Sequence, residues 1–163
     1  MKTNYKLLNE QLRNIIDGVE DNISNLSNAS ALLFEELEDI NWAGFYLVRN
    51  NDLYLGPFQG RIACTKIPYG KGVCGTALMN KQTLIVKNVH EFPGHIACDS
   101  RSNSEIVTPI FKDGKIIAVL DLDSASLNRF DEKDKEGLEI FCKIIGDNYL
   151  WKLPILQEDA FGV

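Results

Sequence analysis

Residues 105–123 read EIVTPIFKDGKIIAVLDLD. The Asp113-Gly114 pair sits between two apolar runs, and this dipeptide accepts the positive φ angles of a tight hairpin turn. Segments 105–111 and 116–121 are therefore expected to pair as antiparallel strands. Side chains alternate along a strand, so Ile117, Val119, Asp121 and Asp123 should share one face, with Ala118, Leu120 and Leu122 on the other. Apolar residues on both faces predict a central strand covered on both sides. Two carboxylates at the end of one such face are therefore unusual.

Further strands lie on either side of this stretch. Residues 41–48 (NWAGFYLV) and 53–58 flank the polar turn Asn50-Asn51-Asp52 and form a second hairpin, and 62–67 and 83–86 read as shorter strands. Before them, Leu8, Leu12, Ile15, Ile16 and Val19 recur at helical spacing. Gly18 and Asp21-Asn22 interrupt, and Leu26, Leu33 and Leu37 resume the pattern. Either a helical hairpin or one kinked helix fits. A short helix is expected over 76–80, after the glycine-rich GKGVCG of residues 70–75. A closing helix follows Phe130, with Asp131 as its N-cap and Leu138, Phe141, Ile144 and Ile145 as its apolar stripe. No repeat or composition break divides the chain. This order predicts an α+β fold: a central six-stranded antiparallel sheet with N-terminal and C-terminal helices packed on it. Residues 1–163 are expected to be one domain, with 1–40 helical and 41–163 the core. The polar stretch 88–104 is long for a plain connection and reads as a binding loop or lid.

The 163 residues are 45% hydrophobic and 25% charged, which excludes a disordered or fibrous chain. Seventeen basic against 23 acidic residues give a net charge of -6, so neither nucleic acid nor an anionic membrane is an expected partner. No apolar run approaches the ~18 residues of a membrane span, and the start MKTNYKLLNE lacks a signal peptide's apolar stretch. A soluble, cytoplasmic protein is expected. Its four cysteines would be kept reduced there and do not read as a disulfide scaffold.

The candidate site residues follow from placement. The ordinary reading of Asp121 and Asp123 is a strand end emerging into solvent. The functional reading is a pair of acids at a pocket mouth, where like charge and partial burial raise a carboxyl pKa and leave a proton to donate. Counting back across the hairpin turn sets Glu105 near one of them, which gathers three carboxylates at one end of the sheet. Cys64 is expected on a strand, Cys74 in the glycine loop, and Cys98 in the long loop. Free cysteine usually packs as a small buried hydrophobe, and Cys142 fits that description. Cys98 differs, because Arg101, His95 or a helix N-terminus could stabilise its thiolate. Zinc is the competing use of Cys64, Cys74, Cys98, His90 and His95, but no pair has the close spacing of a zinc knuckle. Residues 70–75 lack the ending of a phosphate-binding P-loop and read as a tight turn. Trp42 starts a strand in phase with Gly44 and Tyr46, and could wall off a methyl or cationic group.

Several of these stretches recur together. Gly60-Arg61-Ile62-Ala63-Cys64, Gly70-Lys71-Gly72-Val73-Cys74-Gly75, Cys98-Asp99-Ser100-Arg101-Ser102 followed by Ser104-Glu105-Ile106-Val107, and Val119-Leu120-Asp121-Leu122-Asp123-Ser124 resemble the motifs of one family. It is that of the free methionine-(R)-sulfoxide reductases, stand-alone GAF-domain enzymes acting on the free amino acid. The resemblance runs from about Trp42 to the C-terminal helix. It implies a single GAF domain with Cys98 as nucleophile, Cys64 as resolving cysteine and Cys74 as a third, recycling cysteine. It also implies that Glu105, Asp121 and Asp123 contact the sulfoxide oxygen and polar groups of the substrate, and that Trp42 packs on its S-methyl group. Thioredoxin is the implied external dithiol reductant, no metal or tightly held cofactor is implied, and a homodimer is. The alternative is a non-enzymatic GAF module that binds or senses a small molecule or redox state.

Overall fold

The hairpin around Asp113-Gly114 forms as β5 (Ser104–Lys112) and β6 (Lys115–Ser124) in the computed structural model, which describes residues 2–151. Residue 1 and residues 152–163, part of the expected domain, lie outside the described residues. Asp113 and Gly114 have φ of 50° and 77°, the left-handed pair that a two-residue hairpin turn demands. Asn50 and Asn51, at 50° and 68°, make the same turn between β1 (Trp42–Arg49) and β2 (Asp52–Gly60). With β3 (Lys66–Ile67) and β4 (Leu84–Val86), the six strands form one sheet in the order β3-β2-β1-β6-β5-β4, antiparallel throughout. The α+β expectation is met.

The N-terminal segment is a helical hairpin. Helix α1 (Tyr5–Ile16) is capped by Asn4, whose side chain accepts from the Leu7 N–H, and α2 (Asn22–Glu36) by Asp21, which accepts from Ser24 N–H. Helix α3 spans Gly72–Asn80 and α4 spans Glu132–Asp147. At the start of α4, Asp131 and Asp134 each bond the other's backbone N–H, a reciprocal capping box. None of the helices among the described residues is long and apolar enough to cross a membrane.

The sheet separates two apolar layers. On one face α1, α2 and α4 bury Leu12, Leu33 and Phe141 against Phe45, Ile106, Leu120 and Leu122. On the other, Val73 and Leu78 of α3 pack with Trp42, Tyr46, Val107 and Val119. Strand β6 lies between β1 and β5, so it is covered on both faces and flanked on both edges. Its alternation sends Leu120 and Leu122 to the helices and Asp121 and Asp123 to the α3 side. Cys142 is in the helix-side core, as expected.

Three local expectations are corrected. Ile117 does not share a face with Val119. A bulge, where Ile110 pairs with Ala118 but Phe111 with Ile116, makes Ile117 an extra residue and turns it to the helix side with Ala118. The strand expected over 62–67 shrinks to Lys66–Ile67, and Cys64 lies in an irregular loop. Its neighbour Ile62 is 90% exposed, and a paired strand would need sheet contacts that this loop gives up. Finally, α3 begins at Gly72, four residues earlier than expected, which puts Cys74 in a helical first turn.

Gly44 shows how tightly the α3-side layer is built. A Cβ there would come within 2.3 Å of Phe58 Cβ and 2.7 Å of the Trp42 ring. Only glycine lets Trp42 and Phe58 stack across it, with ring centroids 5.2 Å apart. Gly44→Ala is expected to lower stability by about 1–3 kcal/mol through overpacking. Urea unfolding checks this, and an unchanged midpoint contradicts it.

Candidate active site

Two neighbouring strands present the acids, and a third presents the indole. On β5 and β6, Glu105 pairs with Asp123 and Val107 with Asp121, while β1 sets Trp42 opposite Asp123 and Gly44 opposite Asp121. The three carboxylates and the indole therefore share the α3-side face at one end of the sheet. Helix α3 closes over them. Gly72 takes φ +61° against the Ile96 side chain, and Gly75 passes so close to Pro68 that a Cβ would lie 2.5 Å from its carbonyl. This tight turn brings the Cys74 thiol to 3.8 Å from Glu105 Oε1, to which it donates.

The acids do not emerge into solvent. Glu105 and Asp121 are each 6% exposed and Cys74 3%, while Asp123 is half-buried. Burial drives the Glu105 carboxyl well above the usual range, reinforced by the charges of Asp121 and Asp123. Asp121 is raised to about 6, again by burial, with hydrogen bonds to Glu105 and Cys74 holding it back. Asp123 is pushed up by burial and then by Asp121 and Asp99. The Cys74 thiol is raised by burial and by the same acids, which keeps it protonated. Among the described residues, Asp121 Oδ1 is buried without a hydrogen-bond partner.

Two loops form the mouth. Cys64 in loop 61–65 and Cys98 in the loop before β5 are joined as a disulfide, with Cα atoms 5.3 Å apart. The first loop is tied down by Trp42, whose indole N–H donates to Arg61 O at 3.1 Å. The second is anchored at Asp99, which accepts from both Arg101 Nε and Nη2, the latter at 2.7 Å, and from Asn41 Nδ2. Asn41 also donates from its backbone to Asp123 O and from its side chain to Ser102, which links the Cys98 loop to β6. The hydrogen bonds from Arg101 lower the Asp99 pKa to about 2. Arg101, one of the groups that could stabilise a Cys98 thiolate, is thus paired with Asp99 while Cys98 is bonded to Cys64. Burial lowers the pKa of His95 at the pocket edge, and His90 is held by Asn103 at 2.8 Å.

Trp42, Cys74, Cys98, Glu105, Asp121 and Asp123 meet in one pocket; Cys64 does not line it, but its loop contributes Ile62 and Ala63 and its sulfur is bonded to Cys98, while His90, Arg101 and Cys142 lie outside. The cavity among these residues is small, about 40 Å³. Tyr46, not among the candidates, also lines it, stacked on Trp42 at 5.7 Å. Its signal was the alternation Trp42, Gly44, Tyr46. Among the described residues the group within metal reach is Cys74, Glu105 and Asp121, which differs from the competing zinc set of Cys64, Cys74, Cys98, His90 and His95.

Comparison with known proteins gives this pocket its family. The GAF domain family model matches residues 12–148. The free methionine-R-sulfoxide reductase of Escherichia coli is 52% identical over 134 residues, covering 82% of this chain and 81% of its own. The chain belongs to the free methionine-R-sulfoxide reductase family. Its GAF fold is shared with fRMsr of Staphylococcus aureus in complex with substrate, at 55% identity and a TM-score of 0.87, covering 91% of this chain and 97% of that one. The free methionine-R-sulfoxide reductase of Neisseria meningitidis, also solved with its substrate, gives 44% identity and a TM-score of 0.86 over 88% and 87% of the two chains. Family membership makes this chain an oxidoreductase.

The buried acids carry a cost that depends on pH. Asp121 binds its proton more tightly folded, at about 6, than unfolded, at about 4, so the chain loses stability as pH rises through that window. Asp121→Asn removes the titration. The variant's stability gain over the parent is expected to be near zero at about pH 4 and to reach about 3 kcal/mol at neutral pH. Melting temperatures across that range check it, and a gap that does not widen with pH contradicts it.

Proposed function

We propose that this protein reduces free methionine-(R)-sulfoxide to methionine, with Cys98 as nucleophile and Glu105 as the proton donor. The observation that carries the reading is a buried Glu105, its carboxyl pKa driven well above the usual range, in the same pocket as Cys98. Sulfoxide oxygen is a poor leaving group, and a carboxylic acid kept neutral near pH 7 can protonate it.

The Cys98 sulfur attacks the sulfoxide sulfur while Glu105 donates a proton to the oxygen. The oxygen passes to Cys98, the substrate leaves as the thioether methionine, and the proton lost by the Cys98 thiol restores Glu105. Cys98 is now a sulfenic acid. The Cys64 thiol displaces its hydroxyl as water and forms the disulfide. The 5.3 Å Cα separation of Cys64 and Cys98 supports that pairing. Cys74, buried and hydrogen-bonded to Glu105, serves recycling only after loop movement.

Asp121 and Asp123 face the substrate's ammonium group, and Trp42, stacked between Tyr46 and Phe58, presents an apolar wall to its S-methyl. Backbone N–H groups at the start of α3 are suited to its carboxylate. A dithiol protein of the thioredoxin class then exchanges its two thiols for the Cys64–Cys98 bond, so the cycle calls on no metal or organic cofactor for its electrons. The reading places the enzyme in the cytoplasm, where such a donor is kept reduced. Pairing of two copies through the N-terminal helices, where Leu7 and Ile23 are exposed, belongs to the same reading.

Cys98→Ser is expected to abolish methionine formation with a dithiol present, and undiminished turnover sinks its assignment. Cys64→Ser is expected to yield about one methionine per protein and then stop under thioredoxin, with methionine measured by chromatography. Continued cycling at the parent rate rules out Cys64 as the obligatory resolving thiol.

A further inference from the structure

The floor of the pocket has a second chemical capacity. Cys74 Sγ and one carboxylate oxygen each of Glu105 and Asp121 all lie within 4.8 Å of one another, and all three residues are buried. They come from three elements of regular structure, α3, β5 and β6, so their spacing does not depend on the loops. Ligand bonds of about 2.3 Å to sulfur and about 2.0–2.2 Å to oxygen place tetrahedral ligands roughly 3.5 Å apart. The Cys74–Glu105 separation of 3.8 Å is already close to that value.

A second observation points to a missing ligand. Asp121 lines the pocket at 6% exposure, and its Oδ1 is buried with no hydrogen-bond partner among the described residues. A buried carboxylate oxygen without a donor is costly, and a cation beside it removes that cost. The donor set selects the cation. One thiol with two carboxylates is too soft for magnesium or calcium, which take oxygen ligands alone, and suits zinc. Three protein ligands with the fourth position facing open space is the arrangement of an accessible zinc site rather than of a closed structural one.

We infer that Cys74, Glu105 and Asp121 bind a zinc ion at the pocket floor, which occupies the carboxylates a substrate would use and so inhibits the protein. Binding replaces the Cys74 thiol proton and the Glu105 carboxyl proton by bonds to zinc, and both protons go to solvent. Zinc binding stands independently of the reductase reading; only the inhibition rests on it.

The binding test uses the oxidised protein, in which Cys64 and Cys98 are bonded and Cys74 and Cys142 are the free thiols. Cys142 lies in the core on the opposite side of the sheet, so a thiolate–metal signal belongs to Cys74. Cadmium chloride, the spectroscopic stand-in for zinc, is titrated into metal-free protein. One equivalent is expected to produce the ultraviolet sulfur-to-cadmium charge-transfer band, and excess zinc to remove it. Cys74→Ser is expected to lose the band. Glu105→Gln, which keeps the thiol, is expected to weaken cadmium binding by at least about tenfold. No band in the parent protein, a band that survives Cys74→Ser, or parent-like affinity in a folded Glu105→Gln overturns the site. None of these readouts involves turnover, so a failed reductase assay leaves them intact. Zinc inhibition of methionine sulfoxide reduction is measured separately on reduced protein.

Discussion

Strand β6 has no free face and no free edge, and the site depends on that enclosure. A carboxylate placed on such a strand is stripped of water wherever it points, unless the covering layer leaves a gap. Here the helix-side face is filled by Leu120 and Leu122, and the α3 side carries Val119 up to the point where Asp121 begins the pocket. Glu105 on the adjacent strand completes the cluster because the hairpin register sets it opposite Asp123. Burial, and for Glu105 the neighbouring charges as well, then raise the carboxyl pKa values above those of free carboxylates. The fold gives up stability at this one place to keep the three acids together.

The redox part of the site is built differently. The acids sit on a rigid sheet, whereas Cys64 and Cys98 sit on loops that only the pocket mouth brings together. Asn41 and Asp99 hold the Cys98 loop to β6, and Trp42 holds the Cys64 loop through Arg61 O. Acids and thiols thus reach one space from separate supports. A fixed acid with movable sulfurs suits a cycle in which one thiol meets substrate, then its partner thiol, then an outside reductant.

Much of this was legible before any coordinates. The Asp113-Gly114 turn and the alternation after it give the central hairpin, its double coverage and the pairing of Glu105 with the aspartates. What was not legible has local causes. The bulge at Ile117 arises from how β5 and β6 pair, which no single-strand pattern reports. Cys64 lies off the sheet because its loop is held by Trp42 and Cys98, both distant in sequence. Helix α3 starts early because Gly72 and Gly75 tolerate close approaches, which in sequence read as a tight turn preceding the helix. Arg101 looked available to a thiolate until Asp99, two residues before it, proved to hold it in two hydrogen bonds. Tyr46 lay in the open, on the same face as Trp42, and needed only the alternation to be followed one step further.

The account's central claim is that one thiol takes the substrate's oxygen and a specific second thiol resolves it. Mass spectrometry of the fully reduced protein after one equivalent of free methionine-(R)-sulfoxide tests that directly. The account predicts the release of methionine and a protein lighter by two hydrogens, with the peptides of Cys64 and Cys98 joined and Cys74 still a free thiol. A disulfide that joins Cys74 instead, or methionine sulfoxide recovered unchanged with all four thiols reduced, contradicts it.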